Sequence, residues 1–142
     1  MQVAMTKQEA RAAIFAVMET HPDLGASGFL QGDGHDHLSE WKDPEKRRAD
    51  RLMMLSSPCV KEFIRSLEFI ADCDRYKSPG RGHSSYALKH IAERTHGGYI
   101  ANGMLIAAAI HLGVPIVERY GPNAVLPLKE LRTASFNLRG TR

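Results

Sequence analysis

The segment from Met104 to Ile110 is apolar on every side, and it is the feature that most constrains how this chain folds. A helix that is hydrophobic all round must be buried, because an exposed face would leave an apolar patch in water. Gly113 and Pro115 follow the segment, and this pair commonly ends helices. We therefore predict a helix over about residues 101–112, with Asn102 as its N-cap, at the centre of the core.

Capping residues and periodic apolar stripes predict four more helices. Thr6 and Glu9 have the spacing of a capping box, and Asp43-Pro44 and Ser57-Pro58 are typical helix starts. Ser84 or Ser85 can cap a further helix. Apolar residues repeat at helical spacing behind the first, third and fourth of these starts, whereas the segment after Asp43-Pro44 is polar at first and apolar at Leu52, Met53 and Leu55. These helices are predicted over about residues 7–20, 44–55, 58–74 and 85–95.

Runs that alternate between apolar and polar residues are sparse, so the sequence predicts an all-α fold. A chain of 142 residues is expected to form one domain, here a compact orthogonal bundle of about five helices. Turn-forming residues predict a long loop at 21–41. The remaining expectations concern an irregular C-terminal segment: a short strand at 115–120, a helical turn at 127–131 and a flexible basic tail at 132–142.

Positive charge is concentrated in the second half of the chain. Residues 1–74 carry nine Lys/Arg and thirteen Asp/Glu, whereas residues 75–142 carry ten and three, so the net charges are −4 and +7. This asymmetry favours an anionic partner, and we predict contact with nucleic acid or a nucleoprotein complex, mainly through phosphates. The residues expected to supply charge are Arg75, Lys77, Arg81, Lys89, Arg94, Arg132, Arg139 and Arg142.

The Gly- and Pro-containing loop before the fourth helix is the candidate phosphate site. Glycine permits close backbone approach, and a helix N-terminus offers free N–H groups and partial positive charge. Tyr76 is placed to stack on an unpaired base. The candidate phosphate-binding residues are Lys77, Arg81, Gly82, Ser84, Ser85, Lys89 and Arg94. An ordinary interhelical loop capped by serine is compatible with the same residues.

Two other classes of function stay open. Tyr86, His90 and Glu93 share one helical face, so the chain could be a small phosphate- or nucleotide-binding enzyme in which these residues move protons. No complete catalytic signature is present, which favours a binding protein over an enzyme. A dimeric interaction or inhibitor protein is the further alternative, with a homodimer seam on the apolar helix.

Metal and cofactor signals are weak. His35 and His37 could both bind one metal ion, but the sequence offers no second His or Cys pair to supply the remaining ligands. Neither a metal nor a cofactor is therefore predicted. Cys59 and Cys73 are expected to be unpaired, as in a reducing compartment. No apolar run is long enough to span a bilayer and no signal peptide is recognisable, so we expect a cytoplasmic protein without membrane contact.

Two blocks carry a resemblance to a known group. Residues 84–94 and 99–109 resemble the "SYxLKHxxE" and "YxxNGxxIAAA" blocks of a family of small uncharacterised proteins from phages and plasmid-like mobile elements. The similar region is about a fifth of the chain. The resemblance implies a mobile-element setting and no particular activity. Its motif positions are Ser85, Tyr86, Lys89, His90, Glu93, Asn102 and Gly103.

Overall fold

A computed structural model describes residues 5–30 and 42–129 of the chain. All five predicted helices are present, and they start within one residue and end within three residues of the predicted positions. The helices are α1 (Lys7–Thr20), α2 (Pro44–Met53), α3 (Ser57–Ala71), α4 (Ser85–His96) and α5 (Asn102–His111).

Short strands accompany the helices, so the fold is mixed α/β and the all-α prediction is wrong. The described residues contain seven strands in three small antiparallel sheets. Strands β1 and β2 form a hairpin, β3 pairs with β7, and a three-stranded sheet has the order β4-β6-β5. The strands are β1 (Leu24–Gly25), β2 (Gly28–Phe29), β3 (Asp74–Arg75), β4 (His83–Ser84), β5 (Glu118–Tyr120), β6 (Asn123–Leu126) and β7 (Leu128–Lys129).

The described parts of the two regions predicted as loop and irregular segment contain strands. The hairpin β1–β2 lies inside the predicted loop at 21–41, and β7 replaces part of the predicted helical turn at 127–131. A short strand was expected at 115–120, and β5 occupies its last three residues. The rest of the predicted loop, residues 31–41, and the predicted tail at 132–142 lie outside the described residues.

Local capping explains where the helices start. The Thr6 hydroxyl accepts a hydrogen bond from the Glu9 N–H, and the Glu9 carboxylate accepts one from the Thr6 N–H, which completes the predicted capping box. Asp43 caps α2 by accepting from the Glu45 N–H, and Ser56 caps α3 in the same way. Proline in the first turn of both helices removes an N–H that would otherwise lack a partner.

Helix α5 lies at the centre of the core, as its all-round apolar sequence predicts. Eight of its ten residues are buried, and it packs against α1, α3 and α4. The buried apolar residues of these four helices belong to one hydrophobic cluster. None of the helices within residues 5–30 and 42–129 has the length and apolarity needed to cross a membrane.

Candidate functional site

The start of α4 is attached to the three-stranded sheet. The Ser84 hydroxyl caps the helix by accepting from the Ala87 N–H at 3.1 Å. The hydroxyl of Ser85 is buried and accepts a hydrogen bond from the Ala124 N–H of β6, also at 3.1 Å. Both serines were predicted phosphate ligands, and the structure uses their hydroxyls in internal hydrogen bonds. We therefore leave them out of the sites proposed below.

Gly82 also has a structural role in this region. A Cβ at Gly82 would collide with the backbone carbonyl of Leu126, so the glycine permits close approach between β4 and β6. The sequence predicted close approach at this position, but to a ligand rather than to a neighbouring strand.

The predicted set Tyr86, His90 and Glu93 is brought together on one face of α4. The rings of Tyr86 and His90 pack edge to face with centroids 4.5 Å apart. His90 Nδ1 lies 3.1 Å from Glu93 Oε1, and Lys89 Nζ donates to Glu93 Oε2 at 2.9 Å. Glu93 therefore binds two neighbouring side chains of its own helix.

The electrostatics of Glu93 favour a fixed negative charge. Burial raises the pKa of its carboxyl, but the hydrogen bond from the Ile100 N–H and the bond and charge of Lys89 outweigh burial, so the pKa is lowered. A carboxylate held ionised in this way is suited to orienting Lys89 and His90. It is a poor general acid at neutral pH.

A cavity of about 980 Å³ opens beside this face of α4. Its walls come from the β1–β2 turn, α2, α3, α4, the residues around the start of α5, and the β5–β6 turn. The lining residues are Ala26, Ser27, Met53, Ser56, Pro58, Cys59, Glu62, Tyr86, Lys89, His90, Tyr99, Ala101, Asn102, Pro122 and Asn123. Tyr86 and His90 thus line the cavity with Lys89, whereas Glu93 supports Lys89 and His90 and is not itself a lining residue.

Glu62 is a charged lining residue that sequence analysis missed. Only 7% of it is exposed, and its Oε1 accepts a hydrogen bond from the Ala101 N–H at 2.8 Å. Burial raises the pKa of this carboxyl, against the opposing effects of the Ala101 hydrogen bond and the positive charges of Arg65 and Lys89. The sequence did contain a signal for a buried carboxyl. Glu62 lies at helical spacing with Cys59, Ser66 and Ile70, and all four residues are buried in α3.

Asn102 joins three parts of the chain and does not cap α5. The N-cap is Ala101, which makes no side-chain capping bond. Asn102 Nδ2 instead points its two N–H groups at three acceptors, so that at least one hydrogen is shared: the carbonyls of Ser27 and Pro122 and Asn123 Oδ1, at 3.4, 3.2 and 2.9 Å. The predicted capping role is wrong, because neighbours remote in sequence surround this amide.

Lys89 lies close to two aromatic rings at the cavity. Its Nζ lies 4.7 Å from the ring centroid of Tyr99 and 5.4 Å from that of Tyr86. Only 5% of Lys89 is exposed. Its charge is therefore directed to Glu93 and the two tyrosines, and we leave it out of the phosphate-binding surface.

A separate basic cluster forms around Tyr76. The Arg81 guanidinium lies over the Tyr76 ring at 4.8 Å and Lys129 Nζ lies over it at 5.4 Å. The Tyr76 hydroxyl is 2.9 Å from His83 Nε2. We call this region the Tyr76 surface: Tyr76, Arg81, His83 and Lys129 are in contact, and the exposed residues Arg75 and Lys77 flank Tyr76 in the chain. Sequence analysis missed Lys129, since only the pairing of β3 with β7 brings it there.

The other predicted basic residues contribute less to this cluster. Arg94 is exposed in the last turn of α4. Arg132, Arg139 and Arg142 lie outside the described residues.

No metal site is evident in the described ranges. Within residues 5–30 and 42–129, no three His, Cys, Asp or Glu side chains are grouped to hold an ion. The weak metal candidates His35 and His37 lie outside these ranges. No disulfide joins Cys59 to Cys73, as predicted, and burial raises the pKa of the Cys59 thiol, which favours the protonated form.

Comparison with known proteins identifies no relative of this chain. No protein-family model, curated protein or solved structure matches this chain. The resemblance to mobile-element proteins therefore stays a prediction.

Proposed function

We propose that the protein binds single-stranded nucleic acid, free or within a nucleoprotein complex, through the Tyr76 surface. The observation that carries this proposal is a group of exposed cations that form no ion pair with any described carboxylate, although Asp74 lies opposite Lys129 in the β3–β7 pairing. Arg75, Lys77, Arg81 and Lys129 are exposed, and none forms an ion pair with a carboxylate in the described part of the chain. Such cations are available to phosphates, which release counterions when they are neutralised.

The aromatic ring at the centre favours single strands over duplex. Single-strand binding sites combine cations that follow the backbone with aromatic rings that stack on unpaired bases. Tyr76 is partly buried and Arg81 lies against its ring, so a phosphate held by Arg81 would bring its base close to this aromatic group. Duplex bases are already stacked and offer no such contact.

The enzyme alternative receives less support from the geometry. Tyr86 and His90 do line a cavity, but the only lysine or arginine in that lining, Lys89, is paired with Glu93. Glu62 lines the same cavity, and an acidic group there disfavours a phosphate. A small phosphate compound is therefore a poor match to this cavity.

Fluorescence anisotropy with labelled oligonucleotides at about 50 mM salt tests the proposal. We expect single strands to bind more tightly than duplex, with affinity that falls steeply as salt rises. Arg81→Ala should flatten the log–log salt slope by about 0.7, the contribution of one phosphate contact on a single strand. Arg48→Ala removes the same charge from an exposed position on α2 and is the matched control. It should leave the slope unchanged.

Replacement of the aromatic ring separates stacking from charge. Tyr76→Ala should weaken single-strand binding with little change in salt slope, because stacking releases few ions. Tyr120→Ala is the control, since Tyr120 is 68% exposed on β5 and is not part of the Tyr76 surface. Absence of binding at micromolar protein, or equal losses in Arg81→Ala and Arg48→Ala, would overturn the proposal.

A further inference from the structure

The cavity beside α4 has apolar walls that are unusually exposed. Met53, Tyr86 and Tyr99 are 54%, 53% and 65% exposed, and all three line it. Pro58 and Pro122 complete this apolar rim. The volume of about 980 Å³ lies at the upper end of the range found for small-molecule sites. A flat apolar body would gain contact area between these side chains.

The deep end of the cavity offers one acceptor and one donor. Glu62 Oε1 is held by the Ala101 N–H, whereas Oε2 accepts no hydrogen bond from a described residue and is not sealed within the interior. Lys89 Nζ carries three N–H donors and makes one hydrogen bond to a described residue, at Glu93 Oε2. The cavity therefore presents a carboxylate oxygen and an ammonium N–H, both largely removed from water.

The charges around this end are balanced. The carboxylates of Glu62 and Glu93 are matched by the cations Lys89 and Arg65, and both cations lower the pKa of Glu62 through their charge. An anionic ligand would be repelled by the Glu62 carboxylate, and a cationic ligand would be repelled by the Lys89 ammonium. A neutral ligand with its own donor and acceptor avoids both repulsions.

From these contacts we propose that the cavity binds a small neutral ligand with a flat apolar body and an amide-type edge, an N–H beside a C=O. The N–H donates to Glu62 Oε2, and the carbonyl accepts from Lys89 Nζ. The flat body lies against Tyr86 and Tyr99. Aryl amides and lactams are the ligand class with this arrangement. The site is independent of the Tyr76 surface, so failure of either proposal leaves the other untouched.

Three probes of nearly equal shape test the charge and hydrogen-bond pattern: benzamide, benzamidine and benzoate. Titration of the full chain, followed by protein NMR chemical shifts, should give a dissociation constant on the order of 1 mM for benzamide, as expected for a ligand of this size. Benzamidine and benzoate should each bind at least about tenfold more weakly, a difference of about 1.4 kcal/mol. Equal binding of the three probes, or no shift with benzamide, would overturn the proposal.

Glu62→Gln provides a sharper test, because the backbone dictates how the new amide is oriented. The Ala101 N–H requires an oxygen, so the glutamine NH₂ faces the cavity where Oε2 was. An acceptor thereby becomes a donor. Benzamide should bind about tenfold more weakly to this variant and benzoate should bind more tightly, with the circular dichroism spectrum unchanged. An unchanged order of the three probes would contradict the assigned contact.

A wall variant keeps the proposal testable if Glu62→Gln does not fold. Tyr86→Ala should weaken benzamide binding severalfold. Phe15→Ala is the matched control, because Phe15 is also 53% exposed but lies on α1 and is not a lining residue. Equal benzamide affinities in Tyr86→Ala and Phe15→Ala would place the ligand elsewhere.

Discussion

Glu93 connects Lys89, His90 and the Ile100 N–H, and its removal should reveal how much this group stabilises the protein. We expect Glu93→Gln to lower the free energy of unfolding by about 2–3 kcal/mol, because Lys89 keeps its charge in a buried position but loses its ion-pair partner. Urea denaturation measures this change. In a Lys89→Met background the same substitution should cost much less, and equal costs in both backgrounds would show that the two charges are not coupled.

The stabilisation from Glu93 should depend on pH. A carboxyl whose pKa is lower in the folded than in the unfolded protein stabilises the fold fully above its ordinary pKa, which is 4.5, and loses this effect as pH falls through the lowered pKa. The stability difference between wild type and Glu93→Gln should therefore shrink below about pH 4. A difference that stays constant into acid would contradict the lowered pKa.

Glu62 should show the opposite dependence. Burial raises its pKa in the folded protein, so the fold loses stability as pH rises from the ordinary value through the raised one. Glu62→Gln lacks this loss and retains an oxygen for the Ala101 N–H. Its melting temperature relative to wild type should be higher at about pH 7.5 than at about pH 4. Thermal melts at both values check this, and the reverse trend would contradict the effect of burial.

At the scale of elements, Gly103 sets how closely α5 approaches the hairpin β1–β2. A Cβ at this position would collide with the backbone carbonyls of Gly25 and Ala26. The Gly103 N–H donates a hydrogen bond to the Ala26 carbonyl oxygen at 2.9 Å. Helix propensity alone predicts that Gly103→Ala stabilises by about 0.5–1 kcal/mol. We expect instead a loss of about 3 kcal/mol or more in chemical denaturation, because the clash involves backbone atoms.

Ala87→Gly is a control for helix propensity. Ala87 is exposed on α4, and this substitution should cost only about 1 kcal/mol. If Gly103→Ala were as stable as wild type, α5 would not approach β1–β2 as closely as described.

The helices and the strand β5 could be predicted from sequence, whereas the other strands and the cavity could not. A capping box such as Thr6/Glu9 and an apolar stripe are local signals, and α1, α3 and α4 each carry both a capped start and buried apolar residues at helical spacing. Helix α2 carries the capped start alone, and α5 was recognisable from its all-round apolar sequence. Strands of two to four residues are too short to show alternation. Their partners are also distant, as in the pairing of His83 with Leu126. Tyr86 and His90 were recognisable from helical spacing, but Asn102 obtained its partners only from the tertiary fold.

For the molecule as a whole, α5 is the element on which folding depends most. Ile106 is fully buried at its centre, and Ile106→Asp would place an uncompensated carboxylate in the core. We expect this variant to fail to fold, as judged by loss of a cooperative thermal transition. Leu112→Asp is the control, because Leu112 is 39% exposed just after the same helix. A folded and equally heat-stable Ile106→Asp protein would show that the core is elsewhere.

Removal of metal ions should not affect stability. Structural zinc sites supply much of the folding energy of the proteins that contain them, and neither the described residues nor the His35/His37 pair suggests a four-ligand set. EDTA should therefore leave the melting temperature unchanged. A drop reversed by zinc, and abolished by the His35→Ala/His37→Ala double variant, would contradict this expectation.

The contacts of the Asn102 amide have a consequence for the order of folding. Its three acceptors lie 75, 20 and 21 residues away along the chain. The hydrogen bonds of this side-chain amide therefore form only after the hairpins β1–β2 and β5–β6 have docked on α5. Contacts of long sequence separation form slowly, because the entropy cost of closing the loop arises before the contact contributes any stabilisation. In the native state, the β5–β6 turn should open as one unit, and hydrogen exchange at Ala124 and Asn123 should occur together and faster than within α5.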